Sequence, residues 1–152
     1  MAHTNRGRVI LGGLLAGVVI NIFEFITNGV VLNSAWAQLM QSLGKPPVAV
    51  SSIVVFNVWG FLLGIASVWL YAAIRPRYGV GPATAIRAGV AAWVMSAFLA
   101  TVVNYAMGVV PVRLLVITTL IELVEVPLAT VAGAWIYKGE QSETSAARRA
   151  AA

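Results

Sequence analysis

Four long apolar stretches follow one another along the chain, and they constrain its fold more than any other feature. They cover about Val9–Leu32, Ser51–Ile74, Thr84–Val109 and Val112–Tyr137. Each exceeds the ~20 residues that a helix needs to cross the hydrocarbon core of a bilayer. A spanning segment must satisfy its own backbone hydrogen bonds, and these stretches lack the alternating pattern of barrel strands. The sequence therefore predicts an all-α membrane protein, folded as a bundle of four transmembrane helices.

The composition agrees with a protein embedded in a bilayer. The 152 residues are 60% hydrophobic and 10% charged, with a mean hydropathy of +0.89. A soluble domain carries about 25% charged residues. The four stretches leave little chain for a second domain, so we expect one transmembrane domain over residues 1–139. Residues 140–152, which are rich in alanine, serine and charge, are expected to form a disordered cytoplasmic tail.

The connection between the first two stretches, "NSAWAQLMQSLGKPP", carries a helical pattern of its own. Apolar residues recur at helical spacing at Trp36, Leu39, Met40 and Leu43, and Gly44 follows them. This predicts a short interfacial helix that lies on the outer surface of the membrane. A lid over an outward-facing site is the alternative.

The basic residues are distributed unevenly between the two sides of the predicted bundle. Only Lys45 and Arg113 fall on one side, and eight others fall on the opposite side: Arg6, Arg8, Arg75, Arg77, Arg87, Lys138, Arg148 and Arg149. Because cytoplasmic loops carry the excess of Lys and Arg, this predicts a multi-pass protein of the plasma membrane (the bacterial inner membrane) with both termini in the cytoplasm. The net charge of +5 thus reflects topology, and no nucleic-acid partner is expected. The first stretch is expected to stay uncleaved, since it is too long for a signal peptide.

The residues that are absent exclude several kinds of chemistry. The chain has no cysteine, and its one histidine, His3, precedes the first stretch. Disulfides, thiolate metal sites, iron–sulfur clusters and ligation by imidazole inside the membrane are therefore excluded. Glycine-rich phosphate loops, nucleophile elbows and zinc motifs are also missing. We predict no cofactor and no catalytic residue, and an enzyme is the least favoured reading.

Three of the five acidic residues lie inside apolar stretches. Glu24 lies in "NIFEFITN", and Glu122 and Glu125 lie in "LIELVEVPLAT". On helical wheels, these glutamates share one face of each stretch with other polar and small residues. The four faces are Gly13, Gly17, Asn21, Glu24 and Asn28; Asn57, Gly60, Gly64, Ser67 and Tyr71; Gly89, Trp93, Ser96, Ala100 and Asn104; and Thr118, Glu122, Glu125, Ala129 and Ala132. Small residues let membrane helices approach closely, so we expect these faces to form the interior.

The polar residues also coincide in depth. With a rise of ~1.5 Å per residue, Glu125 lies near the middle of its helix, and Glu24, Glu122, Asn57 and Asn104 lie roughly 4–9 Å toward the outer side. This predicts a buried polar cluster in the outer half of the bundle. Its expected proton-binding or cation-binding residues are Glu24, Glu122, Glu125, Asn21, Asn28, Asn57, Asn104 and Thr118.

A carboxylate in hydrocarbon is costly unless it is protonated, hydrogen-bonded, paired or bound to a metal. No lysine or arginine lies in the interior of a stretch, where it would pair with these glutamates. Two states of these glutamates therefore remain possible. They are protonated acids hydrogen-bonded to neighbouring polar groups, or they are carboxylates around a cation. Pro127 adds another oxygen, because it frees the carbonyl of Leu123. Oxygen ligands suit hard cations, but the pattern identifies no particular metal.

The loop "RPRYGVGPATAIRAG" and the segment "EVPLAT" resemble those of small bacterial four-helix membrane proteins with no assigned activity. That resemblance implies the four-helix fold and no function. The four helices and the glutamate in the first are also superficially similar to small multidrug-resistance transporters. Those transporters are shorter and their motifs do not match this chain, so no residue role is carried over.

Two functional hypotheses follow from the acidic cluster. In the first, the cluster binds protons or a cation in a small carrier or channel, with the bilayer as its surroundings and a homodimer as one assembly. In the second, the protein is a non-catalytic structural or assembly subunit of a larger membrane complex, and the cluster holds the helices together.

Overall fold

The computed structural model describes residues 5–150, together with the side chains of residues 5–137, and this part of the chain is helical without a strand. Four helical segments in it are long and apolar enough to cross a membrane. We call them spans 1 to 4: Arg6–Val31, Val50–Tyr78, Pro82–Met107 and Val112–Tyr137. The prediction of an all-helical chain with four apolar helices of spanning length is confirmed. His3 lies outside the described residues.

Two of the four spans change their helical winding part of the way along. Span 1 begins as an α-helix and ends in a π-helical segment, and span 3 has a π-helical segment between two α-helices. In chain order the elements are α1 (Arg6–Glu24), the first π segment (Phe25–Val31), α2 (Asn33–Ser42), α3 (Val50–Tyr78), α4 (Pro82–Trp93), the second π segment (Val94–Phe98), α5 (Leu99–Met107) and α6 (Val112–Ala150).

The turns use residues that stop or start helices. Gly108 ends α5 in the left-handed conformation with a φ of 64°, which a residue without a Cβ adopts at little cost. Pro82 begins α4 at the first helical turn, where its missing N–H breaks no helical hydrogen bond. The predicted short helix between spans 1 and 2 is α2, and its position on a membrane surface stays a prediction.

Glycines bring the backbones of α1, α3 and α6 into contact. A Cβ on Gly12 would lie 2.5 Å from the carbonyl oxygen of Gly133, and a Cβ on Gly133 would lie 2.5 Å from the carbonyl oxygen of Gly12. A Cβ on Gly64 would overlap the backbones of Gly13 and Gly17 in the same way. Only glycine permits these approaches, as in other small-residue contacts between apolar helices.

Span 4 is the most buried of the four spans. The helix α1 packs on α3 and α6, and α4 packs on α6 and α3. At the α4–α6 contact, a Cβ on Gly89 would lie 2.5 Å from the Cα of Pro127, so the glycine makes room for the proline. Two buried clusters fill the contacts, namely Ala16, Ile20, Val68 and Ala129, and Tyr71, Ala85, Ala88 and Ala134.

The bundle is closed at one end and open at the other. In α3, Gly60, Gly64, Ser67 and Tyr71 are buried, whereas no residue of Val50–Trp59 is buried. The helix α5 also buries none of its residues. The closed end contains Arg75, and the open end is the one that the distribution of basic residues assigns to the outer side.

The helix α6 continues past span 4 to Ala150. It therefore overlaps residues 140–152, which the composition assigns to a disordered tail. The side chains after Tyr137 lie outside the described part, and the disorder of the tail stays a prediction.

Candidate functional site

The three glutamates of the apolar stretches converge where α1 packs along α6. Glu24 is the last residue of α1, and Glu122 and Glu125 lie one turn apart on α6. Glu24 is within electrostatic range of both α6 glutamates, and these two are within range of each other. The groups that act electrostatically on Glu122 and Glu125 are glutamates, with no cation among them. We refer to these three residues as the acidic cluster.

Glu125 is the most enclosed member of the acidic cluster. It is 1% exposed, and its Oε2 atom has no hydrogen-bond partner among the described residues. Its neighbours along α6, Val126 and Thr130, are also buried, and the Thr130 hydroxyl is occupied by the Val126 carbonyl at 2.7 Å. A buried oxygen without a partner carries the full cost of its lost hydration. Such orphaned groups are rare in folded proteins and call for a physical explanation.

Glu24 is tied to the short helix α2 through two side-chain hydrogen bonds in series. The Asn28 Nδ2 atom donates to Oε2 of Glu24, and the Asn28 Oδ1 atom accepts from Nε1 of Trp36 at 2.8 Å. Asn28 was a predicted site residue, but Trp36 was not. Its helical spacing indicated only an amphipathic face, so no pattern in the sequence pointed to this bond.

The side chains of the other four predicted site residues donate hydrogen bonds to backbone carbonyls. Asn21 donates to Gly17 O at 2.8 Å and, across the α1–α3 contact, to Asn57 O at 3.2 Å. The side chains of Asn57, Asn104 and Thr118 each donate to carbonyls of their own helix. Asn57 is exposed, and Asn104 and Thr118 are half-buried. Hydrogen bonds bring none of these four to a carboxyl group, and their part in ion binding stays a prediction.

The π segment in span 3 changes which residues face span 4. A π turn accommodates one residue more than an α turn, so the helix after it is rotated by about one position. Accordingly, Ala100 of the predicted interior face is exposed, and the hydroxyl of Thr101 instead lies 2.7 Å from that of Thr119. Nε1 of Trp93 also donates to the carbonyl of Thr119 at 3.1 Å. Thr119, the neighbour of Thr118 on the predicted interior face, therefore links spans 3 and 4.

The first π segment begins directly after Glu24, so a helix of altered winding borders the acidic cluster. Such segments are rare in helices and occur frequently at functional sites. On α6, Pro127 follows Glu125 by two residues and removes the hydrogen bond that the carbonyl of Leu123 would accept. Backbone oxygens with spare acceptor capacity thus accompany the carboxyl groups.

As a metal site the cluster is incomplete. Among the described residues, no group of three or more Asp, Glu, His or Cys side chains is arranged to hold a metal ion. A cation here would need backbone carbonyls, such as that of Leu123, or amide oxygens beside the carboxylates. Proton exchange needs only carboxyl groups near one another, and the acidic cluster supplies three.

Comparison with known proteins adds no further site residue. No protein-family model matches the chain, and no curated protein or solved structure is detectably similar to it. The candidate site therefore depends on the positions of Glu24, Glu122 and Glu125 alone.

Proposed function

We propose that this chain is a multi-pass protein of the plasma membrane, a four-helix transmembrane bundle with both termini in the cytoplasm. Its acidic cluster binds protons or a cation and serves a small carrier or channel. Four apolar helices of spanning length and the large apolar side chains on their exposed faces support the membrane assignment. The orientation follows from the basic residues, eight against two.

One observation carries the functional part of the proposal. Glu125 is 1% exposed, its Oε2 atom has no partner in the described part of the chain, and its electrostatic neighbours are Glu24 and Glu122. A neutral carboxyl group can pass its proton to a neighbouring carboxylate, and chains of such groups form the relays of membrane pumps and transporters. Intramembrane acids are functional by default for this reason.

The difference in burial between the three glutamates supports access to the acidic cluster from one side. The beginning of α3, Val50–Trp59, and the whole of α5 bury no residue, whereas Glu125 is enclosed. Glu122 and Glu24 are half-buried, so their exposure is intermediate between that of Glu125 and that of the open end. A proton or cation would therefore enter from the open end past Glu24 and Glu122 and reach Glu125 last.

A non-catalytic subunit of a larger membrane complex is the second candidate, with a homodimer as a simpler assembly. The hydrogen bond from the Asn21 side chain to the carbonyl of Asn57 favours this structural role, because the bond joins α1 to α3. Two observations weigh against it. Most polar side chains of the predicted site bond within their own helix, and the seven glycines on buried faces are all used inside the bundle. Among the glycines of the four spans, only Gly7 and Gly29 are exposed; they lie at opposite ends of span 1 and form no continuous face for a partner helix.

Proton flux through reconstituted liposomes tests the proposal. Wild-type protein should dissipate an imposed pH gradient, and Glu125→Gln should abolish the flux because an amide cannot release a proton. Glu140→Gln makes the same chemical change outside the four spans and should leave the flux unchanged. A pH gradient that wild-type protein does not dissipate, with or without added Na⁺ or Mg²⁺, would contradict the carrier or channel.

The triple variant of Glu24, Glu122 and Glu125 to Gln separates the two candidates. Retained folding with lost flux supports proton or cation binding. Collapse of the bundle, seen as loss of the monodisperse peak in detergent, supports a structural role. Circular dichroism on the same samples distinguishes lost helix from lost assembly.

A further inference from the structure

We propose that the closed end of the bundle holds a phosphate group between the guanidinium of Arg75, the hydroxyl of Tyr71 and the first turn of α4. This site lies at the opposite end of the bundle from the acidic cluster. It does not depend on any role of the glutamates.

Arg75 is a buried cation without an acidic partner among the side chains that the structure describes. It is 8% exposed, and no carboxylate of the described residues pairs with it. Its guanidinium lies 5.0 Å from the ring centroid of Tyr137, a cation–π contact that does not itself use the guanidinium N–H groups as hydrogen-bond donors. A buried charge is expensive when it is unpaired, and the planar fork of arginine matches two phosphate oxygens.

Tyr71 presents a second unused donor beside Arg75. It has no exposed surface, and no acceptor for its hydroxyl hydrogen is found among the described residues. The hydroxyl lies beside the backbone of Gly81 and within electrostatic range of Arg75. Its ring meets that of Tyr137 edge-on, with 6.1 Å between the ring centroids.

The first turn of α4 supplies the third part of the site. Gly81 is its N-cap residue and offers no side chain to the free amides of that turn. Backbone amides at a helix N-terminus point at bound anions, and the helix dipole favours negative charge there.

These donors suit a phosphate group, which an ester or a free anion can supply. Two sources of it exist at this place. Basic pockets between membrane helices on the cytoplasmic side bind anionic lipid headgroups. Free inorganic phosphate would use the same donors, so the two sources are separated by experiment.

Phenylglyoxal labelling of arginines, mapped by mass spectrometry on the full chain in nanodiscs, tests the site without a mutation. Three samples are compared: phosphatidylcholine alone, phosphatidylcholine with phosphatidylglycerol, and phosphatidylcholine with inorganic phosphate. Protection of Arg75 only by phosphatidylglycerol assigns a lipid headgroup, and protection by inorganic phosphate assigns a free anion. Exposed Arg77 is the internal control and should label equally in all three. Protection of Arg75 by neither ligand overturns the proposal.

Variants then test the individual donors. Arg75→Gln should weaken retention of whichever ligand protects Arg75 about tenfold, since it removes a charge-assisted bond. Tyr71→Phe removes one oxygen and should weaken retention about fivefold with the fold intact. Arg77→Gln lowers the net charge equally and should leave retention unchanged. Wild-type retention in Arg75→Gln or in Tyr71→Phe, or an equal loss in Arg77→Gln, would overturn the site.

Discussion

Trp36 of α2 donates a hydrogen bond from Nε1 to the Oδ1 atom of Asn28 at 2.8 Å, across the junction between span 1 and α2. Asn28 in turn donates to the carboxylate of Glu24. One asparagine thus connects the connecting helix to the acidic cluster, with its acceptor used on one side and its donor on the other. A change in the position of α2 would therefore reach Glu24 through only two bonds.

Replacing Trp36 by phenylalanine should loosen α2. The variant loses one hydrogen bond worth about 1 kcal/mol and leaves Asn28 without a donor, so amide exchange in α2 should rise about fivefold. Hydrogen–deuterium exchange with mass spectrometry measures this. Trp59→Phe changes an exposed tryptophan and should not alter exchange in α2. Equal exchange in the Trp36 variant and the wild type would show that the bond does not hold α2.

Replacing Gly64 by alanine should destabilise the bundle. The added Cβ would overlap the backbones of Gly13 and Gly17, so α1 and α3 must separate, at a cost of about 1–3 kcal/mol. The measurement is thermal unfolding in detergent. Gly7→Ala is the matched control, because its Cβ would meet only the Asn5 side chain at 3.5 Å, and it should be neutral or stabilising. Equal stability of the two variants would refute close packing of α1 on α3.

Replacing Thr101 by valine should destabilise the contact between spans 3 and 4. The bond between the hydroxyls of Thr101 and Thr119 at 2.7 Å would be lost, at a cost of about 0.6 kcal/mol for such a bond between membrane helices. Thr118→Val is the control, since its hydroxyl bonds only within α6. Unfolding in mixed micelles measures both. A larger loss for the Thr118 variant would show that Thr118, rather than Thr119, contacts span 3.

Single cysteines report topology directly, since the chain has none of its own. A membrane-impermeant maleimide should label Lys45→Cys in intact cells and Arg77→Cys only after permeabilisation, because the excess of basic residues is cytoplasmic. The opposite labelling pattern would show that the bundle has the inverted orientation, with the acidic cluster nearer the cytoplasmic side.

Much of the fold follows from the sequence, because length and hydropathy define the four apolar helices. The buried glycine faces were also predictable, since Gly13, Gly17, Gly60 and Gly64 recur at helical spacing. The meeting of Glu24 with Glu122 and Glu125 follows from the same periodicity.

The contacts around the acidic cluster do not follow from a helical wheel with a constant period. A wheel assumes a constant rotation per residue, and the π segment at Val94–Phe98 breaks that assumption, so Thr101 replaces Ala100 at span 4. Asn57 shares the face of Gly60, but no residue of Val50–Trp59 is buried, so it is exposed there. Periodicity gives the direction of a residue on its helix, and only tertiary contacts determine whether another helix covers it.

Carbodiimide labelling of the reconstituted protein, mapped by mass spectrometry across pH and with added cations, tests the central claim most directly. The reagent modifies protonated carboxyl groups in apolar surroundings. Glu24, Glu122 or Glu125 should be labelled, and the labelling should fall as pH is raised or be blocked by one cation. Glu140 and Glu143, which follow the four spans in the sequence, are the controls. No labelling of the three glutamates at any pH would mean a sealed structural network and would contradict proton or cation binding by the acidic cluster.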